Sequence, residues 1–420
     1  MGDKYSIVLN DPEVIKDIFL TNPDNFLSRP HSPTNRYVGY DYKGIAFADE
    51  SYWRVNKPKI VSAFSNTNLK KVNALFEQTT NEFISLMTSM EKKSKSCNPK
   101  VLCQNYTMNI IFRYVYSFDI PFDEDKKGKE IRLIDPIQRI FVMLGNFSFG
   151  DFISFLNPIY DFYLQHFRTE ISEIDEFIAE VVKEHIETID RDNPRDLVDS
   201  LILEFDITKQ ENIDTIVCFG REILIASTDS IANVLEWFFL LLANNQDAQE
   251  KCYRELRGVF EPKMLNEDEL KITMKDRNFT PFFNSTLKET MRYKMIGPLG
   301  VPRVATKDTV TKGIFIPKGA AIYQNLHALS NLEQYWNEPN RFIPERFLNN
   351  SHSDLFMPFS IGKRGCLGSS LAKDELFLAA ANILANFKIS PLDGITKIDE
   401  TSTIGLAQLP HHFDVKIERR

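Results

Sequence analysis

The ten residues from Phe359 to Gly368, FSIGKRGCLG, constrain the chain more than any other segment. Gly365 and Gly368 bracket Cys366 closely, and a helix is predicted to begin directly afterwards, at about Ser369. Glycines let the backbone bend and approach a flat partner without a Cβ in the way. A thiolate at a helix N-terminus is stabilised by the helix dipole and by free N–H groups. The segment therefore favours a metal-bound thiolate; the alternative is a helix-capping glycine loop that happens to hold a buried cysteine.

The rest of the chain divides into a long helical stretch and a shorter part with strands. A strand at 6–10, a short helix at 12–20 and a loop at 22–50 come first. Helical periodicity then predicts helices near 53–64, 69–90, 101–118, 159–190, 210–242, 245–259, 281–293 and 369–387. After Pro298, short strands are predicted at 301–306, 313–317 and 320–323. Since no long linker or repeat divides residues 1–420, we expect one mainly α domain with a small β subdomain.

Composition argues against several classes of protein. The net charge is −8, and the 50 Lys and Arg residues are spread along the chain, which argues against nucleic acid as a partner. Five cysteines without a CxxC pair fit a reducing compartment better than a disulfide framework. The sequence shows neither an uninterrupted apolar run of membrane-spanning length nor an N-terminal secretory pattern. These features are typical of an intracellular globular protein.

The segment from Phe359 to Gly368 matches, at every fixed position, the haem-binding signature of cytochromes P-450, Phe-x-x-Gly-x-Arg-x-Cys-x-Gly. The chain resembles that family over nearly its whole length. The resemblance implies the cytochrome P-450 fold, with haem b between a long distal helix and the proximal cysteine loop. It further implies that Cys366 is the thiolate ligand of the iron, that Phe359 packs near its sulfur, and that Arg364 binds a haem propionate.

Two more segments follow the family's order. Glu289 and Arg292 lie three residues apart on one helical face, a pair that by itself is typical of any helix surface. Their distance upstream of Cys366, and the later segment FIPERF at 342–347, match the family pattern. The resemblance implies that Glu289, Arg292 and Arg346 form a structural ion cluster that holds the haem loop.

Further cofactor contacts are implied on both sides of the helical stretch. Arg303, in the segment PRVATKD, resembles the family arginine that reaches a propionate; the alternative is an exposed strand arginine. Trp53 and Lys57 resemble the family's Trp-x-x-x-Arg, with Lys at the last place. A lysine still neutralises a propionate as a point charge, but it lacks the planar fork of arginine. The alternative is an amphipathic helix with Trp53 in the core.

The predicted distal helix contains the sequence ASTDS at 226–230. The family pattern there is Ala/Gly-Gly-x-Asp/Glu-Thr, in which acid and hydroxyl relay protons, and the resemblance assigns this catalytic role to Asp229 and Ser230. The chain departs from the pattern at Ser227, where Gly is usual, and at Ser230, where Thr is usual. Both departures bear on the efficiency of oxygen activation. The alternative is that these polar residues face solvent or bond back to the helix.

By family position, five segments should line the substrate pocket: 30–45, 140–160, 218–227, 298–303 and 403–407. Their side chains favour an apolar substrate such as a lipid, sterol or terpenoid, although ordinary core packing would explain them equally well. The side chains in question are Phe141, Phe147, Phe149, Phe152, Val301 and Leu406.

The resemblance implies a haem-thiolate monooxygenase that inserts one oxygen atom from O2 into an apolar organic substrate. Because no flavin or nicotinamide motif occurs, electrons are expected from a separate NADPH-dependent cytochrome P-450 reductase. Two alternatives are a haem-thiolate isomerase or dehydratase that works without oxygen, and a degenerate, non-catalytic haem-binding protein.

The similarity begins at Tyr5, without the family's usual eukaryotic membrane anchor, proline-rich hinge and first helix. We therefore expect either an anchor-free protein or a truncated gene product. The expected location is the cytoplasm or the surface of the endoplasmic reticulum, with peripheral membrane contact at most.

Overall fold

The computed structural model describes residues 2–66, 69–94, 96–122, 133–146, 148–260, 270–349 and 354–420. Most of this part of the chain is helical, as predicted. The α-helices are α1 Pro12–Lys16, α2 Pro33–Val38, α3 Glu50–Asn66, α4 Leu69–Lys93, α5 Pro99–Tyr116, α6 Ile134–Gly145, α7 Phe149–Phe152, α8 Asn157–Phe167, α9 Glu170–Thr188, α10 Leu197–Glu204, α11 Gln210–Asn244, α12 Gln246–Phe260, α13 Pro281–Tyr293, α14 Leu326–Asn331 and α15 Ser369–Asn386.

The strands form small sheets at the edge of the helical body. They are β1 Ser6–Leu9, β2 Ser96–Cys97, β3 Arg303–Val304, β4 Thr309–Thr311, β5 Ile314–Ile316, β6 Ala321–Gln324, β7 Phe387–Pro391, β8 Ser402–Ile404, β9 Gln408–Pro410 and β10 Val415–Arg419. The sheet orders are β1-β6-β3, β2-β10-β7, β4-β5 and β8-β9. β1 pairs in parallel with β6, so that Ser6 lies opposite Ala321. The prediction of a mainly α fold with a small β part is confirmed.

Local capping accounts for helices that hydrophobic periodicity did not predict. α2 lies within the segment 22–50 that was predicted as loop; the Ser32 side chain accepts the N–H of Asn35 at 3.2 Å, and Pro33 occupies the first turn. α10 begins after Asp196, whose side chain accepts the N–H of Asp199 at 2.9 Å. Short helices of this kind carry too few apolar repeats to stand out in the sequence.

The single helix predicted at 159–190 is wrong, because two helices occupy that segment. Arg168 is extended (φ −115°, ψ 138°) between α8 and α9. Its side chain binds the carboxylate of Glu170, which is 1% exposed. A buried carboxylate needs a nearby cation, so this pair stabilises the break in the helix.

α11 runs through the centre of the helical body and packs against α5, α9, α6 and α15. Among the described helices, it alone has the length and hydropathy of a membrane-spanning segment, and 78% of its most apolar window is buried inside the protein. α11 therefore forms the scaffold on which the distal side of any central site is built.

Glu236 lies within the apolar part of α11 and is 4% exposed. Burial, reinforced by Asp229 and opposed by Lys100, raises its pKa to about 7. In the unfolded chain a Glu titrates near pH ~4.3. Between these values the unfolded chain releases a proton that the folded protein keeps, so stability falls as pH rises from about 4 to 7, by on the order of 3 kcal/mol.

Glu236→Gln removes this titration. We expect the variant to gain stability relative to the original protein as pH rises from 5 to 7 in chemical denaturation. Parallel stability profiles for the two proteins would contradict the buried, raised carboxyl group.

Candidate functional site

Cys366 lies in a tightly hydrogen-bonded loop just before α15. Its N–H donates to the carbonyl oxygen of Phe359, and the N–H of Gly365 donates to the carbonyl oxygen of Gly362, both at 2.9 Å. Gly362 has a φ of +77°, and a Cβ there would overlap the carbonyl oxygen of Phe19. Only glycine fits at this position, because both the backbone conformation and the close approach exclude a side chain. The group that Gly362 approaches closely is thus another part of the protein's own backbone, at Phe19.

The Cys366 side chain is exposed to a cleft of about 450 Å³, which Phe359, Lys57 and Lys373 also line. Crowding by neighbouring atoms raises the pKa of the thiol, although the N–H of Gly368 and the charge of Lys373 act in the opposite direction. The helix N-terminus therefore does stabilise a thiolate as expected, but the crowding around the sulfur outweighs that effect. A free thiol at this position stays protonated near neutral pH, and coordination to a metal would remove the proton.

Four cations lie close enough to repel one another and are called here the cationic cluster: Arg29, Arg303, Arg364 and Lys57. The guanidinium of Arg364 and the ammonium of Lys57 lie 4.6 Å from the Trp53 ring centroid. Burial lowers the pKa of Arg364 to about 8 and that of Arg303 to about 9, and repulsion within the cluster adds to both shifts. A guanidinium keeps its proton in proteins, so the cluster favours binding of an anion.

Only part of the cluster's charge is balanced by the described residues around it. Glu222 and Asp49 are the carboxylates that act on Arg364. Nη1 of Arg303 is buried and has no hydrogen-bond partner within the described part of the chain. Several other nitrogens of the cluster donate to carbonyl groups, among them Nη2 of Arg303 to Ile361 at 2.8 Å and Nε of Arg364 to Leu27 at 2.8 Å. The site therefore fits a ligand that carries acidic groups.

Of the residues predicted on the distal helix, Ala226 faces a cavity, whereas Asp229 and Ser230 do not. Ala226 is exposed to a cavity of about 710 Å³, which Glu222 and Ile225 of the same helix also line. Asp229 is 5% exposed, and its carboxylate accepts a hydrogen bond from Nε2 of Gln104 on α5 at 2.9 Å. The hydroxyl of Ser230 donates to the carbonyl oxygen of Ala226 at 2.7 Å.

Neither Asp229 nor Ser230 lines the cavity or the Cys366 cleft. Burial raises the pKa of Asp229, while the hydrogen bond from Gln104 lowers it in part. In this arrangement Gln104 holds Asp229 towards α5, and Ser230 bonds back to its own helix. Only Ser230 has the geometry set out above as the alternative to a proton relay.

All five segments predicted to line the substrate pocket contribute to the cavity. Phe141, Phe152, Val301 and Leu406 are among its lining residues. Phe149 is not, because its side chain is 77% exposed on the surface. Phe147 lies outside the described residues. The cavity therefore joins the five segments that were predicted to line a pocket, and its wall is largely apolar.

The predicted ion cluster of Glu289, Arg292 and Arg346 is confirmed. Arg292 donates to both carboxylate oxygens of Glu289, from Nε at 2.7 Å and from Nη2 at 2.8 Å, and neither side chain is exposed. Arg346 approaches the same carboxylate at 3.4 Å, and the N–H of Ile343 donates to it at 2.8 Å. Arg292 also binds the carbonyl groups of Ser330 and Pro339. The cluster therefore fastens α13 to the irregular segment that precedes the cysteine loop.

Two residues of the site were missed in the sequence. Arg29 lies in a segment predicted as loop, and nothing local marks it as buried. Glu222 lies four residues before Ala226 and seven before Asp229, so the helical spacing could have placed it on the same face of α11. Its carboxylate instead binds backbone N–H groups of residues 45 and 46, which no local pattern indicates.

Comparisons with known proteins agree with this geometry. The family model described as cytochrome P-450 matches residues 1–417. Probable cytochromes P-450 508A2 and 508C1 of Dictyostelium discoideum are each 35% identical to the chain, over an alignment that covers 100% of this chain and 86% of theirs. A solved zebra fish cytochrome P-450 with progesterone is similar with a TM-score of 0.85 at 23% identity, covering 100% of this chain and 95% of that one.

Proposed function

Since the chain belongs to the cytochrome P-450 family, and is thereby a haem-b-dependent monooxygenase, we propose that Cys366 is its iron ligand. The observation that carries this assignment is a cysteine exposed to a cleft beside a cationic cluster with too few carboxylates. Once bound, the haem would supply the redox chemistry that activates O2, and the Cys366 thiolate would tune it. Phe359, whose carbonyl oxygen accepts the Cys366 N–H, is the proposed neighbour of the sulfur.

The proposed contacts of the haem propionates are Arg303, Arg364, Lys57 and Trp53. We add Arg29 to this group. The unsatisfied Nη1 of Arg303 supports the assignment, because a buried guanidinium nitrogen is costly without an acceptor. Trp53 supports it indirectly, since its ring lies under both Lys57 and Arg364 and fixes their positions.

Arg303→Gln should weaken haem retention about tenfold, the loss expected when a charge-assisted hydrogen bond is removed. The measurement is the rate and extent of haem transfer from the purified protein to an excess of apomyoglobin. Arg54→Gln is the matched control, because Arg54 lies on α3 next to Trp53 but is paired with Glu50 and Asp24. Equal haem retention in all three proteins would exclude Arg303 from the propionate site.

Asp229 and Ser230 are the proposed proton donors. Ser230 lies one helical turn after Ala226, whose side chain faces the cavity, and the proposed role requires its hydroxyl to leave the carbonyl oxygen of Ala226. The raised pKa of Asp229 supports the proposal, because a raised pKa favours the protonated form that a proton donor requires.

Asp229→Asn should lower turnover about 100-fold, the lower end of what a positioned acid contributes. Haem content and ligand affinity should stay unchanged, because Asp229 does not line the cavity. The control is Asp214→Asn, a partly exposed acid on the same helix that accepts a hydrogen bond from Gln210. Turnover by Asp229→Asn at the original rate would remove this residue from the mechanism.

The proposed substrate is an apolar organic molecule, because apolar side chains dominate the cavity wall and its volume is in the range of small-molecule pockets.

The proposed electron donor is a separate NADPH-dependent cytochrome P-450 reductase. Lys373, beside the Cys366 cleft, would suit an acidic partner surface. We further propose that residues 1–420 form one domain, in the cytoplasm or loosely on the surface of the endoplasmic reticulum; five free cysteines support a reducing compartment.

Turnover with and without the reductase tests this function. The holoprotein is screened for apolar ligands that shift its absorption spectrum, and each ligand is then incubated with reductase, NADPH and O2. Product that contains one atom of ¹⁸O from ¹⁸O2, formed only with reductase, is the expected result. Product formed without reductase would favour the isomerase or dehydratase alternative, and a protein that binds haem but converts no ligand would favour the non-catalytic one.

A further inference from the structure

The loop of residues 44–48, called here the wall loop, connects the region after α2 to α3 and forms part of the cavity wall through Ala46 and Phe47. It has no helical or strand hydrogen-bond pattern. Instead, buried charged side chains bind its backbone. The N–H groups of Ile45 and Ala46 donate to the carboxylate of Glu222 at 2.7 and 3.0 Å.

The carbonyl groups of the same two residues are held from the opposite side. Nε of Arg29 donates to the carbonyl oxygen of Ala46 at 2.8 Å, and Nη1 of Arg364 donates to that of Ile45 at 2.7 Å. The wall loop thus lies between the distal helix, which carries Glu222, and the cysteine loop, which carries Arg364. Hydrogen bonds to charged groups are the stronger class of protein hydrogen bond, so these contacts determine where the loop lies.

Gly44 is a second observation that the wall loop and the Glu222 carboxylate lie in close contact. A Cβ at Gly44 would overlap the carboxylate oxygen Oε1 of Glu222. The preceding residues Tyr40, Asp41 and Tyr42 all have positive φ, between 48° and 64°, an unfavourable conformation that persists only where surrounding contacts enforce it. Glu222 itself is 8% exposed and lies one helical turn before Ala226, which lines the cavity.

We propose that Glu222 is a specificity-determining residue: by fixing the wall loop against α11, its carboxylate sets the width of the cavity and the size of ligand that enters it. The inference rests on the proposed haem site, because the cavity is taken as the substrate pocket of that haem. Release of the loop widens the cavity and admits bulkier ligands.

Glu222→Gln tests the role of the carboxylate. The variant keeps the shape of the side chain, but its NH2 group must then face a backbone N–H that the carboxylate had accepted. Two azole probes of different size, imidazole and clotrimazole, are titrated into the holoprotein by absorption spectroscopy. We expect the Kd of clotrimazole to fall about tenfold relative to that of imidazole, the change that corresponds to the loss of one charge-assisted hydrogen bond.

Glu255→Gln is the matched control. Glu255 likewise accepts two successive backbone N–H groups, those of Phe282 and Phe283 at 2.9 and 2.7 Å, but it lies on α12 and does not line the cavity. Its variant should leave the ratio of the two Kd values unchanged. An unchanged ratio in Glu222→Gln as well, or an equal shift for both probes, overturns the proposal.

Hydrogen exchange provides a second readout that does not depend on haem. The amides of Ile45 and Ala46 should exchange faster in Glu222→Gln than in Glu255→Gln, and equal protection overturns the proposal. Gly44→Ala, which displaces the carboxylate from the loop side, should give the same changes if Glu222→Gln does not fold. An original protein that shows no azole-induced shift at all would contradict the haem site itself rather than the role of Glu222.

Discussion

Glu289→Ala is expected to lower the free energy of unfolding by about 4 kcal/mol, the range found when one partner of a buried ion pair is removed. The side chains of Glu289 and Arg292 are both fully buried, and the variant leaves the Arg292 charge without its carboxylate. It also leaves the N–H of Ile343 without its acceptor. Chemical denaturation followed by tryptophan fluorescence measures the loss.

Glu13→Ala is the control for this prediction. Glu13 forms an ion pair with Lys16 at the same three-residue spacing, but on the surface. Surface pairs of this kind contribute about 0.5 kcal/mol. If both variants lose the same small amount, the buried cluster does not hold the segment before the cysteine loop in place.

Cys366→Ser is expected to abolish the iron–sulfur bond and to lower turnover at least ~100-fold, because an alcohol does not replace a thiolate as electron donor. X-ray absorption at the iron edge should show a sulfur neighbour in the original protein and only lighter neighbours in the variant. Cys97→Ser, at a buried cysteine on β2, is the control. A sulfur neighbour that persists in Cys366→Ser would assign the ligand to another residue.

The sequence predicted those parts of the molecule whose physical cause is local. The glycines around Cys366 and the long apolar repeats of α11 are of this kind, because each depends on residues within a few positions of one another. Contacts between distant segments could not be predicted in this way. Asp229 has the predicted helical position, yet the orientation of its side chain is set by Gln104, 125 positions earlier.

The cationic cluster shows the same limit. Arg303, Arg364 and Lys57 could be assigned because each lies in a recognisable segment, whereas Arg29 is buried only because the segments around residues 46 and 301 fold over it. The pKa of the Cys366 thiol is a further case, since crowding by its three-dimensional surroundings outweighs the favourable helix terminus that the sequence indicated.

The carbon monoxide difference spectrum of the reduced, purified holoprotein tests the central claim most directly. A cysteine thiolate bound to haem iron gives the long-wavelength Soret band from which the family takes its name, and we predict that band for this chain. A carbon monoxide complex that absorbs instead at the shorter wavelength of histidine-ligated or thiol-ligated haem would contradict ligation by the Cys366 thiolate.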